Sequence, residues 1–297
     1  MKALRGAMTA LITPMKENGD VDYDGFRELI RFQLAEGIDG IVPIGTTGET
    51  PTLDESEEEA LIKIAAREAG GKVPLIVGAG SNSTKHAVLY TKRAKDLGAD
   101  AALVVTPYYN KPNDDGLIRH FEAVAACGLP VVVYNIAGRT GRNIPAGLMA
   151  RLAEIPNIDA VKEASGDIGQ MGDIIHAMAG KKSFPVLSGD DALTLPLIAL
   201  GGAGVISVVS NLFPAKVKKM TSLALEGKFE EARALHYELL PFTKAAFIET
   251  NPVPIKRALA FAGLPAGPAR LPLGVLAPEN EKRLIAELRA LGIQGRL

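Results

Sequence analysis

The chain has 297 residues, 47% hydrophobic and 23% charged, with 33 basic and 34 acidic side chains and a formal net charge of −1. That is enough apolar material for a large core and leaves no composition for long disorder. No basic block exceeds the doublets Lys181-Lys182 and Lys218-Lys219, and tryptophan is absent, so a nucleic-acid surface is not expected.

In chain order, Lys2 and Arg5 precede a short apolar run, but Pro14, Lys16, Glu17 and Asp20 follow at once, which does not fit a signal peptide. The first predicted strand lies in residues 6–13. Asp22 opens a helix that Gly37 ends, and a second strand follows at 40–45. Asp54 with Glu57 makes a capping box before Ala60-Leu61-Ile62, and Gly70 closes that helix. The third strand is predicted at 74–80, and Ser83 or Thr84 opens a helix that Gly98 ends. Strands at 101–107 and 130–136 flank Cys127, the only cysteine, which excludes an internal disulfide and a thiolate zinc cluster and makes the cytosol the expected compartment. Pro145 sits where a first-turn proline belongs. Strands follow at 158–164, 185–189 and 204–209. The apolar stretch around 193–210 is broken by Pro196, Gly201, Gly202 and Gly204, so no membrane span is expected there. Beyond residue 226 the strands stop, and helices are predicted at 228–240, 252–262 and 278–291.

Eight short runs rich in Val and Ile, alternating with amphipathic helices, are the pattern of buried parallel strands. They either close into a barrel or spread as an open doubly wound sheet. No Gly-rich phosphate loop follows the first strand, which ends Ile12-Thr13-Pro14, and the units are near-equal. The expected fold is therefore α/β, a TIM (β/α)8 catalytic barrel over 1–225 with a C-terminal helical extension over 226–297. The extension is expected to pack on the barrel or on another subunit.

Barrel chemistry sits at the C-terminal ends of the strands. There the chain presents Gly45-Thr46-Thr47-Gly48-Glu49, Gly80-Ser81-Asn82, Tyr108-Tyr109-Asn110, Tyr134-Asn135, Lys162-Glu163, Ser188-Gly189-Asp190-Asp191 and Ser207. All four histidines, His86, His120, His176 and His236, fall in helix-like segments, which speaks against a metal-dependent hydrolase. Period two places Ala160, Lys162 and Ala164 on one strand face, with small neighbours beside the amine. Lys162 is either a strand-end lysine with its head in water or a buried amine whose depressed pKa suits attack on a carbonyl. Tyr134 is either a core tyrosine or that amine's proton partner. Thr46 and Thr47 are either a capped turn or, with their glycines, a carboxylate cradle. Tyr108-Tyr109-Asn110 reads equally as a plain loop or an interface anchor.

Six motifs occur together in order: Gly45-Thr46-Thr47-Gly48-Glu49, Thr106-Pro107-Tyr108-Tyr109-Asn110-Lys111-Pro112, Tyr134-Asn135 with Arg139-Thr140-Gly141, Val161-Lys162-Glu163-Ala164-Ser165-Gly166, Leu187-Ser188-Gly189-Asp190-Asp191 and Gly204-Val205-Ile206-Ser207. On these, and on Asn251-Pro252-Val253-Pro254-Ile255-Lys256, the chain resembles the 4-hydroxy-tetrahydrodipicolinate synthase (dihydrodipicolinate synthase) family of pyruvate-dependent Schiff-base aldolases. The resemblance implies condensation of pyruvate with L-aspartate 4-semialdehyde, with no metal or organic cofactor. It implies that Lys162 carries the imine, and that Tyr134, Thr46 and Tyr109 form a proton relay, Tyr109 reaching in from a neighbouring subunit. It further implies that Thr47 and the backbone of Ile206 bind pyruvate, that Gly189 belongs with them to the substrate-binding set, that Arg139 holds the aldehyde's carboxylate, and that the assembly is a homotetramer of tight dimers.

Two departures from the family pattern carry expectations. Ala137-Gly138 replaces a proline that relatives often have, implying a looser turn before Arg139. The positions matching a lysine-feedback histidine and glutamate hold Glu58 and His86, the two types exchanged, implying weak or absent lysine inhibition, although Asn82 and Tyr108 match. The alternatives are an aldolase for a 2-keto sugar acid or 4-hydroxy-2-oxoglutarate, and a non-catalytic small-molecule sensor. Arg139 argues against the sugar-acid version, and the intact lysine–tyrosine–threonine set against the sensor.

Overall fold

Eight strands form inside the eight apolar runs: β1 (Gly6–Ala10), β2 (Gly40–Val42), β3 (Ile76–Gly78), β4 (Ala101–Val105), β5 (Val131–Asn135), β6 (Ile158–Glu163), β7 (Val186–Ser188) and β8 (Gly204–Ser207). In this computed structural model residues 4–295 are described; Lys2, with the outermost residues of the two expected segments at 1–3 and 296–297, lies outside them. All the strand pairs are parallel, in the order β2-β1-β8-β7-β6-β5-β4-β3. Between β2 and β3 a parallel Ile41–Leu75 bridge and a 3.1 Å bond from Gly78 N–H to the Pro43 carbonyl close the ring. The expected (β/α)8 barrel is the fold found.

Alternation along the strands sorts the side chains. Met8, Val42, Leu103, Val132, Ala160, Leu187 and Ile206 fill the barrel interior. Ala7, Ile41, Val77, Val104, Val133, Val161 and Val205 join the larger apolar cluster beneath the helices.

The helices are α1 (Tyr23–Ala35), α2 (Glu55–Ala69), α3 (Thr84–Asp96), α4 (Asp114–Ala125), α5 (Ala137–Thr140), α6 (Ala146–Ala153), α7 (Ile168–Met178), α8 (Thr194–Ala199) and α9 (Pro214–Leu225). After these come α10 (Phe229–Ala246), α11 (Val253–Phe261) and α12 (Pro278–Ala290). The sequence signals for their ends hold. Asp22 caps α1, Ser83 caps α3, and Asp54 with Glu57 forms the full capping box of α2, which ends at left-handed Gly70. Two details differ. Pro145 stands at the cap of α6 rather than within its first turn, and α10 runs on through Pro241 to Ala246 instead of stopping at Leu240. Packing outweighs the proline there, because Leu239, Phe242, Ala245 and Ala246 lie beyond or beside it in the main core. Phe242 meets Phe213 edge to face at 5.0 Å, so the C-terminal helices pack on their own barrel. Among the described residues no helix is long and apolar enough to cross a membrane.

Candidate active site

The C-terminal mouth of the barrel collects the side chains singled out above, with the exception of Tyr109. Lys162, near the end of β6, is 5% exposed, so its amine is inside the barrel and not in water. It pairs in register with Tyr134 on β5, and its Nζ lies 4.2 Å from the centre of the Tyr134 ring. Burial brings the Lys162 amine down to about 8, with Asp191 opposing that shift and Arg139 adding to it. The other buried lysine, Lys256, is paired with Glu49 at 2.6 Å, whereas Lys162 has no carboxylate at ion-pairing distance among the described residues.

Tyr134 is held by its backbone. Thr106 N–H and its hydroxyl donate to the Tyr134 carbonyl at 2.9 and 3.0 Å. Burial pushes the phenol up to about 12, with Arg139 and Thr46 pulling the other way. A phenol with so high a pKa keeps its proton at neutral pH, so it can donate to a developing oxyanion and recover the proton later.

Thr46-Thr47-Gly48 forms a single 3-10 turn after β2, closed by Glu49 in the left-handed region at φ 57°. Thr47 is buried, and its hydroxyl accepts a 2.9 Å bond from Asn251 Nδ2. Gly189 follows β7 and lies against the lysine: a β-carbon there would stand 3.0 Å from Lys162 Cε and 2.7 Å from Ala164 Cβ. Only glycine lets the chain pass so close to the amine. Ile206, on β8, is fully buried in the interior cluster.

Arg139 sits on α5. The turn before it is closed despite Ala137-Gly138, since Arg139 N–H and Thr140 N–H both donate to the Ile136 carbonyl, at 3.0 and 3.1 Å, and Gly141 ends it at φ 70°. The Arg139 guanidinium donates to the Asn251 carbonyl at 3.1 Å. It lines a cavity of about 520 Å3 shared with Thr46, Tyr134, Glu58, Asn82, His86 and Tyr108.

Tyr109 is not brought to this cluster by its own chain. It stands 90% exposed on the loop after β4, with φ 71°.

Three buried groups with no role in the sequence reading adjoin these side chains or brace the segments that carry them. Asp191 is buried and accepts from Ser207 Oγ and, at 2.9 Å, from Val208 N–H; burial raises it to about 6. Glu163 is fully buried and accepts two bonds from Asn135 Nδ2, at 3.1 and 2.9 Å, and one from Ser165 N–H at 2.8 Å. Both acids lie within quoted motifs, so their positions were visible but their burial was not. Asn251 comes from the C-terminal segment, where only its motif pointed to it.

An uncompensated buried amine beside a proton-holding phenol at the mouth of a (β/α)8 barrel is what a Schiff-base lyase requires. Comparison with known proteins agrees. The family model of the dihydrodipicolinate synthetase family matches residues 3–291. The 4-hydroxy-tetrahydrodipicolinate synthase of Protochlamydia amoebophila is 51% identical over 290 residues, covering 97% of each chain. That of Methanospirillum hungatei is 48% identical, over 94% of this chain and 96% of its own. The crystal structure of dihydrodipicolinate synthase from Aquifex aeolicus superposes with a TM-score of 0.95 at 44% identity, over 99% of this chain and 100% of that one. The chain belongs to the dihydrodipicolinate synthetase family. It is an enzyme, a lyase of the Schiff-base aldolase type.

Proposed function

We propose that this chain condenses pyruvate with L-aspartate 4-semialdehyde to 4-hydroxy-tetrahydrodipicolinate, the first committed step of lysine and diaminopimelate synthesis, through an imine on Lys162. The observation that carries this is the burial of Lys162 beside the Tyr134 ring with its amine lowered to about 8. Near neutral pH a useful fraction of that amine is unprotonated and can attack the pyruvate carbonyl. Tyr134 protonates the resulting oxyanion, takes a proton from the new ammonium and passes it to the hydroxyl, which leaves as water as the imine forms. The imine is an electron sink, so a methyl proton of pyruvate can be removed to give an enamine, which attacks the aldehyde carbon. The aldehyde substrate's own amine then displaces Lys162 and closes the ring.

Thr46 and Tyr109 complete the proton relay in this proposal, with Tyr109 of the partner subunit reaching into the site. A Tyr109 that stands 90% exposed on its own chain supports that assignment, as does its aromatic neighbour Tyr108, also exposed. Thr47, Gly189 and the backbone of Ile206 hold pyruvate, and Arg139 holds the carboxylate of the aldehyde with its planar fork. The assembly proposed is a homotetramer of tight dimers, and the cytosol is the compartment that a single cysteine favours.

The test is borohydride reduction with pyruvate, followed by a product assay with L-aspartate 4-semialdehyde run beside N-acetylmannosamine. One pyruvate-derived mass is expected on the peptide holding Lys162, with turnover of the semialdehyde alone. A label on another lysine, or preference for the sugar, would overturn the proposal. Lys162→Ala should lose nearly all activity.

A further inference from the structure

The barrel's C-terminal mouth is crossed by a residue from the other end of the chain. Asn251 lies between α10 and α11 and is 6% exposed. Its side-chain Nδ2 donates to the Thr47 hydroxyl at 2.9 Å, and its backbone carbonyl accepts from Arg139 at 3.1 Å. One residue therefore touches both groups assigned to the two substrate carboxylates.

Its position is set firmly. Val253 N–H donates to the Thr250 carbonyl and Lys256 N–H to the Pro252 carbonyl, both at 3.0 Å, which fixes the start of α11. The Lys256 amine, buried, donates to the Thr13 carbonyl at 3.1 Å, to Glu49 at 2.6 Å and to the Pro268 carbonyl at 2.7 Å. Glu49 closes the Thr46-Thr47-Gly48 turn. The segment bearing Asn251 and the turn bearing Thr47 are thus clamped to each other on two sides.

The two ends of the Asn251 amide are used unequally. Nδ2 is bonded, while Oδ1 is buried with no hydrogen-bond partner among the described residues. The donor half is the one this position employs toward Thr47. A hydroxyl has a single hydrogen and two acceptor sites. When Thr47 Oγ accepts from Asn251, that lone pair is taken, and the hydroxyl hydrogen is left to point at a ligand. Among the described residues Thr47 donates it to no protein group.

We infer that Asn251 is a positioning residue that makes Thr47 a hydrogen-bond donor toward pyruvate's carboxylate, so that its side chain sets pyruvate affinity and leaves aldehyde affinity to its backbone carbonyl. This rests on Thr47 binding pyruvate, as proposed above. The consequence is chemically specific. Asn251→Ala frees the hydroxyl to turn either way. Asn251→Asp places an acceptor-only carboxylate where the donor was, which captures the Thr47 hydrogen and repels the pyruvate carboxylate. A merely structural role predicts the reverse order, because aspartate is the better shape match.

The experiment measures borohydride trapping at Lys162 against pyruvate concentration, and the Michaelis constant for the aldehyde at saturating pyruvate, in wild type, Asn251→Ala and Asn251→Asp. Wild type trapped nowhere on Lys162 would sink the proposed function itself. With wild type trapped, half-saturating pyruvate should rise about five- to tenfold in Asn251→Ala, less than a whole hydrogen bond to a charged group because the freed hydroxyl still points at pyruvate part of the time, and more than about tenfold in Asn251→Asp, where that bond is lost outright. The aldehyde constant of Asn251→Ala should stay within about twofold, since the carbonyl bonded to Arg139 is retained. Asn251→Asp milder than Asn251→Ala, or pyruvate and aldehyde constants rising together in Asn251→Ala, would overturn the inference. Melting curves monitor folding. If the aspartate variant does not fold, Asn251→Ser replaces it, being uncharged and too short to reach Thr47. It should match Asn251→Ala, and wild-type pyruvate dependence in it would count against the inference.

Discussion

In the proposed reaction the pKa of one amine, that of Lys162, sets the working pH. Lysine ordinarily titrates near 10.5, and burial brings Lys162 to about 8. At pH 8 about half of the amine is then neutral, against roughly 0.3% for an unperturbed lysine. Imine formation with pyruvate should accelerate about tenfold per pH unit below 8 and level off above it, because only the neutral form attacks. Trapping rates measured from pH 6 to 10 check this, and a rate still climbing at pH 10 would show an unperturbed amine. Asp191 supports protonation of Lys162 while Arg139 opposes it, so the two substituents that flank the amine pull its titration in opposite directions. Neither effect was legible from residue types, because both depend on which side chains share the barrel interior.

Among the elements, the C-terminal helices are joined to the barrel by a buried ion pair as well as by apolar packing. Lys256 on α11 and Glu49 after β2 are only 2% and 1% exposed at their side chains. Glu49 also accepts from Arg270 N–H at 2.8 Å, and the Arg270 guanidinium grips Glu57 on α2 at 2.7 and 2.5 Å. Removing one member of such a pair leaves a buried charge without its partner. Lys256→Met should therefore cost about 3–5 kcal/mol. Adding Glu49→Gln to Lys256→Met should recover part of the loss, since it removes the stranded charge. Chemical denaturation of the single and double variants checks both statements, and a single variant as stable as wild type would refute them. Helix starts were legible in the sequence because a cap is a local bond: Asp22, Asp54 and Ser83 each bind an N–H within three residues. The ion pair was not, because its members are 207 positions apart.

At the scale of the whole molecule, the site as one chain builds it leaves Tyr109 outside. If Tyr109 is supplied by a partner subunit, Tyr109→Phe should cut turnover while leaving the imine trappable. Mixing Tyr109→Phe with Lys162→Ala subunits should then restore some activity, because some sites regain both residues. No recovery after proven subunit exchange would place Tyr109 in its own chain's site. Regulation belongs to this scale too. Glu58 and His86 both line the cavity that contains Arg139, with Asn82 and Tyr108. Glu58 is already engaged by Arg93 at 3.0 Å, and burial raises its carboxyl to about 7 despite that arginine. A carboxyl so committed is a poor receiver for a ligand ammonium, and a misplaced charge in a desolvated pocket loses most of its value. Free lysine should inhibit weakly or not at all. Half-inhibition well below a millimolar, at saturating pyruvate, would contradict this.

The sequence by itself determined the eight strands, the capped helices between them and the order of the motifs at the strand ends, because each rests on bonds and periodicities spanning a few residues. Lys162 remained open between a solvated strand end and a buried amine, and only the closed barrel decided it. The decision turns on one irregularity between β5 and β6. Val131 pairs with Ile158 but Val132 with Ala160, so Asp159 is an extra residue in β6. With an unbroken ladder Tyr134 would stand opposite Val161; the added residue sets it opposite Lys162 and turns Ala160 and the amine inward. A bulge of one residue has no compositional mark, since it is fixed by how two strands share a ladder. The bond from Asn251 to Thr47, spanning 204 positions, is likewise a product of folding. Sequence patterns name the groups that chemistry needs, and packing over long separations decides which of them lose their water and face one another.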